Sequence, residues 1–211
     1  MSLVSEEIKR EIVKYSLLSS SMGLTPNTQG NLSARDPKTG YIAVTPHDIA
    51  YDVMTWQDIS VVDLDGKQVE GDREPSSETA VHLSVYRARP DVFGIVHSEP
   101  VYTNCFGALG MPIEPVVVAL LVDIGGSVPV MPFMSSGSTA FGDEMVRVMG
   151  DRNGVIWGNH GLLTHGKTLD QAFRRTVIIE NVAQIYHLAL SLGKKPVILD
   201  RSVIDPAKAV A

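Results

Sequence analysis

Ile8, Ile12, Tyr15 and Leu18 recur at helical spacing, Ser5 stands at the cap position before them, and Gly23 ends the run. The pattern predicts a first helix over residues 6–22, with Glu6 and Glu7 well placed in its first turn. The period then shortens. Residues 31–34, 41–45, 59–63 and 67–69 read as short strands, the last two joined by the turn-forming pair Asp65-Gly66. Ser76 or Ser77 can cap a helix over 78–89 that Pro90 stops, and an apolar strand over 92–97 follows at once. Downstream the elements alternate: helix 101–108, an apolar run over 116–124 that fits either type, strand 128–131, helix 139–149, and strands 155–157 and 162–164. Thr168-Leu169-Asp170-Gln171 is a capping box heading the strongest helix, whose apolar face runs through Ala172, Ile179, Val182, Ala183, Tyr186 and Leu190. Periodicity is lost after Gly193, which divides the chain into a domain over 1–193 and a tail over 194–211 that either drapes on the surface or is disordered.

The strand ending at His97 carries the first chemical signal. Residues i and i+2 of a strand face the same way, so His97 and Glu99 converge, and Pro100 breaks the strand to leave both at its mouth. His160 sits in a turn after the apolar stretch Val155-Ile156-Trp157, and Glu78 heads a helix, so either can complete a cluster. Imidazoles and carboxylates together suit Zn²⁺, Mn²⁺ or Co²⁺ in a site that keeps a position open for substrate. Three polar groups also lie at element ends: Thr28-Gln29-Gly30-Asn31, Thr45-Pro46-His47-Asp48 and Ser76-Ser77. Free N–H groups at a helix start favour an anion, so these clusters suggest a phosphate site beside the metal site.

Composition narrows the partners. A net charge of −6 with no basic run argues against nucleic acid, and the longest apolar run, 116–122, is far too short to span a bilayer. Cys105 stands alone and cannot form an internal disulfide. The charged N-terminal stretch lacks the apolar core of a signal peptide, so the expected location is cytoplasmic. Of the other histidines, His82 reads as a core or interface residue, and His165 and His187 as surface.

Taken in order, Gly30-Asn31-Leu32-Ser33, Thr45-Pro46, Glu70-Gly71, Pro75-Ser76-Ser77-Glu78, His82, Arg89-Pro90-Asp91, His97 and His160-Gly161-Leu162 resemble the class II aldolase/adducin family. The resemblance implies an α/β fold, a three-layer αβα domain around a mostly antiparallel sheet, assembled as a homotetramer with active sites at subunit interfaces. It also implies one divalent ion per chain, Zn²⁺ first, with Mn²⁺ or Co²⁺ as alternatives. His97, Glu99 and His160 become its ligands, and Glu78 the general acid/base. Asn31, Ser76 and Ser77, with Thr28 and Thr45, take the substrate phosphate.

Three positions depart from the family pattern. His97-Ser98-Glu99 replaces its usual His-x-His, Asp48 stands where its aldolases carry Gly, and the run 116–124 lacks their Tyr. Asp123 is the only ionisable residue of that run and reads either as a substitute acid/base or as a structural turn residue. The leading functional expectation is a metal-dependent aldolase that splits a ketose 1-phosphate into dihydroxyacetone phosphate and a short aldehyde. A deoxy or methylthio pentulose phosphate, or a fuculose-type sugar, is the expected substrate class. A metal-dependent decarboxylase, a sugar-phosphate 4-epimerase and an adducin-like binding module without catalysis are the alternatives.

Overall fold

The computed structural model describes residues 2–204, so the part of the tail reading that covers 205–211 lies outside the described residues. Five α-helices form: α1 (Glu6–Ser21), α2 (Thr79–Ala88), α3 (Val101–Leu109), α4 (Thr139–Met149) and α5 (Leu169–Ser191). Eight strands accompany them: β1 (Asn31–Arg35), β2 (Ile42–Val44), β3 (Ser60–Val62), β4 (Gln68–Glu70), β5 (Gly94–Ser98), β6 (Val130–Met131), β7 (Gly154–Trp157) and β8 (Gly161–Gly166). Ser5 and Thr168 cap α1 and α5 as expected, their hydroxyls accepting from the Ile8 and Gln171 amides. The ambiguous run resolves into a single π-helical turn, Leu120–Ile124, closed by Gly125 at φ 95°. The expected strand over 128–131 keeps only its second half as β6, because Val128 pairs instead with Ile113 across an isolated bridge.

The strands build one sheet in the order β4-β3-β2-β1-β5-β8-β7-β6. Every neighbouring pair is antiparallel except β6 and β7. Helices α1, α3 and α5 cover one face, and α2 and α4 cover the other, giving the expected three layers. Strand β5 is central and covered on both sides, so all five of its residues are buried and it reads as a near-continuous apolar run. Its alternation sends Val96 towards α1 and α5, and Ile95 towards α2 and α4. His97 shares the face of Ile95 and so points at the head of α2.

The described part of the tail lies against the body. The Leu199 amide donates to the Pro115 carbonyl at 2.9 Å, and Arg201 donates to the Gly125 carbonyl at 2.7 and 3.0 Å. Among the described residues, no helix is long and apolar enough to cross a membrane.

Candidate metal centre and phosphate pocket

Strand register delivers the first two site residues. Asn31 on β1 pairs directly with His97 on β5, which in turn pairs with Leu163 on β8. Gly30 makes this approach possible: it sits at φ 86°, and a Cβ there would stand 2.8 Å from the His97 carbonyl oxygen. Gly161 does the same from the other side, since a Cβ would stand 2.6 Å from the Ser98 oxygen and 2.8 Å from His97 Cε1. His160, in the turn before β8, can therefore approach His97, and the two rings meet edge-on with centroids 5.0 Å apart. Trp157 stacks on His97 at 4.1 Å and fixes its plane.

Glu78 arrives from α2. The expectation that Ser76 or Ser77 caps this helix is corrected: Glu78 itself holds the cap position, and its carboxylate makes no capping bond. It is engaged elsewhere, accepting from Asn31 Nδ2 at 2.9 Å and standing 3.2 Å from His97 Nε2 and 3.5 Å from His160 Nε2. Ser136 adds a further hydrogen bond to the carboxylate. Burial pushes the Glu78 carboxyl up, but positive charge on the His97 side of the site and the bonds from Asn31 and Ser136 outweigh it and hold it ionised. Burial favours neutral His97.

A divalent ion fits these residues. His97 Nδ1 lies 3.0 Å from the Leu162 carbonyl oxygen, which can only accept, so Nδ1 carries the proton and Nε2 of the neutral ring presents a lone pair. That Nε2 is buried without a hydrogen-bond donor and faces a carboxylate oxygen. Two lone pairs opposed in a buried site favour a positive charge between them, which a divalent ion supplies. Glu78, His97 and His160 each offer one ligand atom, all within 4.8 Å of one another. Atoms held about 2 Å from one ion would show this kind of spacing.

Glu99, expected as the third ligand, lies further out, with Oε1 3.8 Å from His160 Nε2. Its carboxyl is pushed up by burial, against the opposing pull of His160. The order of proximity thus differs from the expectation, with Glu78 inside the tight group and Glu99 at its edge. Strand alternation stops at Ser98, and Pro100 already opens α3, so the i, i+2 rule no longer governs Glu99.

Thr28, Asn31, Ser76, Ser77, Glu78, His97, Glu99 and His160 all line one cleft of about 190 Å³. Gln29, Gly30, Pro46, His47 and Asp48 complete its wall. Thr45 is absent from the lining: it is buried, its hydroxyl accepts from the Leu32 amide at 3.2 Å, and its carbonyl accepts from Ser76. It shapes the wall from behind.

Asp123 is also elsewhere. Its carbonyl accepts from Asn153 Nδ2 at 2.8 Å, and Asn153 precedes β7, whose opposite end leads through Trp157 to the cleft. Within one chain Asp123 therefore lies away from the cleft that holds Glu78, because the π-helical turn places it at the far end of the sheet. Ser136 went unread in the sequence, although Ser135-Ser136-Gly137-Ser138 before α4 is the kind of run that marks a polar loop. His165, expected on the surface, is 3% exposed.

Known proteins resemble this chain in sequence and in fold. The family described as the class II aldolase and adducin N-terminal domain matches residues 10–187. The chain is 32% identical over 206 residues to a 5-deoxy-D-ribulose 1-phosphate aldolase of Bacillus thuringiensis serovar kurstaki, covering 98% of this chain and 96% of that one. Its fold is similar to a solved L-fuculose 1-phosphate aldolase, with a TM-score of 0.92, 31% identity, and coverage of 99% and 98% of the two chains. An L-fuculose 1-phosphate aldolase from Glaciozyma antarctica PI12 matches with a TM-score of 0.76 and 25% identity, over 92% of this chain and 77% of that one. The chain belongs to the class II aldolase and adducin family.

Proposed function

We propose that this protein is a metal-dependent aldolase that cleaves a ketose 1-phosphate to dihydroxyacetone phosphate and a short aldehyde. The observation that carries the reading is the opposed pair of His97 Nε2 and the Glu78 carboxylate, 3.2 Å apart beside a polar cleft. His97, Glu78 and His160 would hold one divalent ion, Zn²⁺ first and Mn²⁺ or Co²⁺ otherwise, with Glu99 at the margin of the set. When bound, the ion supplies positive charge that offsets the negative charge developing as the carbon–carbon bond breaks. Ser76 and Ser77 flank the head of α2, where free amides favour an anion, and with Thr28 and Asn31 they form the phosphate end of the cleft.

Glu78 moves the proton. In the condensation direction its carboxylate takes a proton from the carbon beside the ketone. In cleavage the bond from that carbon to the carbinol carbon breaks, the carbinol hydroxyl gives up its proton to solvent as the aldehyde forms, and Glu78 returns a proton to the carbon. Asn31 fixes the carboxylate for this step through its 2.9 Å bond. The similarity to a 5-deoxy-D-ribulose 1-phosphate aldolase favours a deoxypentulose phosphate as substrate, and the expected setting is a cytoplasmic homotetramer with the cleft near a subunit boundary. Exposed Leu109, Val122 and Phe133 offer apolar surface for such an assembly.

Asp48 lines the same cleft and disfavours a phosphate, which makes a decarboxylase the second reading. A panel of ketose 1-phosphates assayed with metal-reconstituted protein for release of dihydroxyacetone phosphate tests the proposal. Turnover of at least one pentulose or deoxyhexulose phosphate is expected. Release of CO₂ from an unphosphorylated acid, with no cleavage of any ketose phosphate, would replace the aldolase by the decarboxylase.

A further inference from the structure

A second polar cavity, of about 90 Å³, lies at the other end of β5 and β8 from the metal cluster. Gly94 pairs with Gly166 there, three residues along β5 from His97, or roughly 10 Å at the rise of a strand. Arg89, His165, Lys167 and Arg175 bring basic groups to its wall, and Asp91 brings the one carboxylate. Both guanidiniums are partly buried and feel nearby carboxylates, Asp91 and Asp151 at Arg89 and Asp123 at Arg175, without a direct ion pair to any of them among the described residues. Arg89 contacts His165 Nε2 at 3.1 Å and donates to the Gly150 carbonyl, while Arg175 Nη1 donates to the His165 carbonyl at 2.7 Å.

These contacts leave polar atoms over. Arg175 Nε is a buried donor with no partner, and the Nδ1 of the His165 ring, whose Nε2 lies 3.1 Å from Arg89 and 3.3 Å from the Arg152 carbonyl oxygen, has none either. Buried polar atoms are normally satisfied, and a cavity walled by basic groups that make no direct ion pair leaves room for a further partner of opposite charge. We propose that this cavity is a second anion site, which takes a small tetrahedral oxyanion of the inorganic phosphate class. The planar guanidinium forks suit such an ion, and the cavity is far smaller than the roughly 300–1,000 Å³ that hold larger ligands. Asp91 at the exposed rim disfavours an ion that stays outside the cavity and leaves the inner donors as the place to bind.

The test is a titration of the full chain with inorganic phosphate, followed through the ring resonances of His165. A saturable shift is expected, and Arg175→Gln should weaken it by about tenfold or more, as loss of a charge-assisted bond implies. Ser77→Ala, in the other cleft, should leave it unchanged, which separates the two sites. Lys167→Ala, at an exposed position, should weaken binding several-fold and serves if Arg175→Gln does not fold. Immobile His165 resonances throughout the titration, or a shift equally strong in Arg175→Gln and Lys167→Ala, would show that the arginines only clasp the ends of α2, α4 and β8 together.

Discussion

The ring of His97 and the carboxylate of Glu78 approach to 3.2 Å, although His97 presents its unprotonated nitrogen to the contact. Such a pair is favoured by a cation between its members, and the residues around it rank themselves by distance. His160 Nε2 is 3.5 Å from Glu78, and Glu99 is 3.8 Å from His160.

Metal content should follow that ranking. The purified protein, reconstituted with Zn²⁺, Mn²⁺ or Co²⁺, should carry about one ion per chain, and His97→Ala or His160→Ala should strip it while the fold is kept. Glu99→Gln should retain more metal than either. Elemental analysis with a circular dichroism control measures all of this, and metal lost fully in Glu99→Gln but kept in His97→Ala would reverse the assignment.

Glu78→Gln removes an anionic ligand and the proton carrier together. Metal affinity should fall, and at saturating metal kcat should remain lower by about 10²-fold or more, the usual contribution of general acid–base catalysis. Full recovery of kcat by added metal alone would reduce Glu78 to a ligand.

Ser77→Ala should weaken binding of a phosphorylated ligand by about 1–3 kcal/mol and leave an unphosphorylated analogue nearly unaffected. Calorimetric titration with both ligands decides it. Equal losses for the two would favour the decarboxylase reading.

His165 makes stability depend on pH. Burial, reinforced by the charge of Arg89, pushes its pKa down to about 4, against about 6.5 in an unfolded chain. Between those values the unfolded state binds a proton that the native state does not, so this contribution is present above pH 6.5 and is lost as pH falls towards 4. The loss should be on the order of 2 kcal/mol between pH 7 and pH 5 in phosphate-free buffer, read from urea midpoints. His165→Asn should flatten the profile, and an unchanged slope would mean that the group is already charged in the folded protein.

Local pattern determined much of this protein. Period and caps located α1 and α5, because Ser5 and Thr168 satisfy amides within three residues of themselves and need no distant partner. The strand leading to His97, and His160 in its turn, were legible for the same reason, and family motifs in order pointed to the layered fold. Only the tertiary structure decided which carboxylate stands nearest the imidazoles. Glu99 is adjacent in sequence, but the chain turns into α3 after it, whereas Glu78 comes nineteen positions before His97 and is carried there by the packing of α2 on β5. The same holds for Asp123 and His165. One is taken to the far end of the sheet by a π-helical turn that periodicity does not reveal, and the other is buried because Arg89 and Arg175, remote in sequence, close over the end of β8. Short-range spacing encodes which way a side chain leaves its own element, while its neighbours are set by strand register and helix packing across the whole chain.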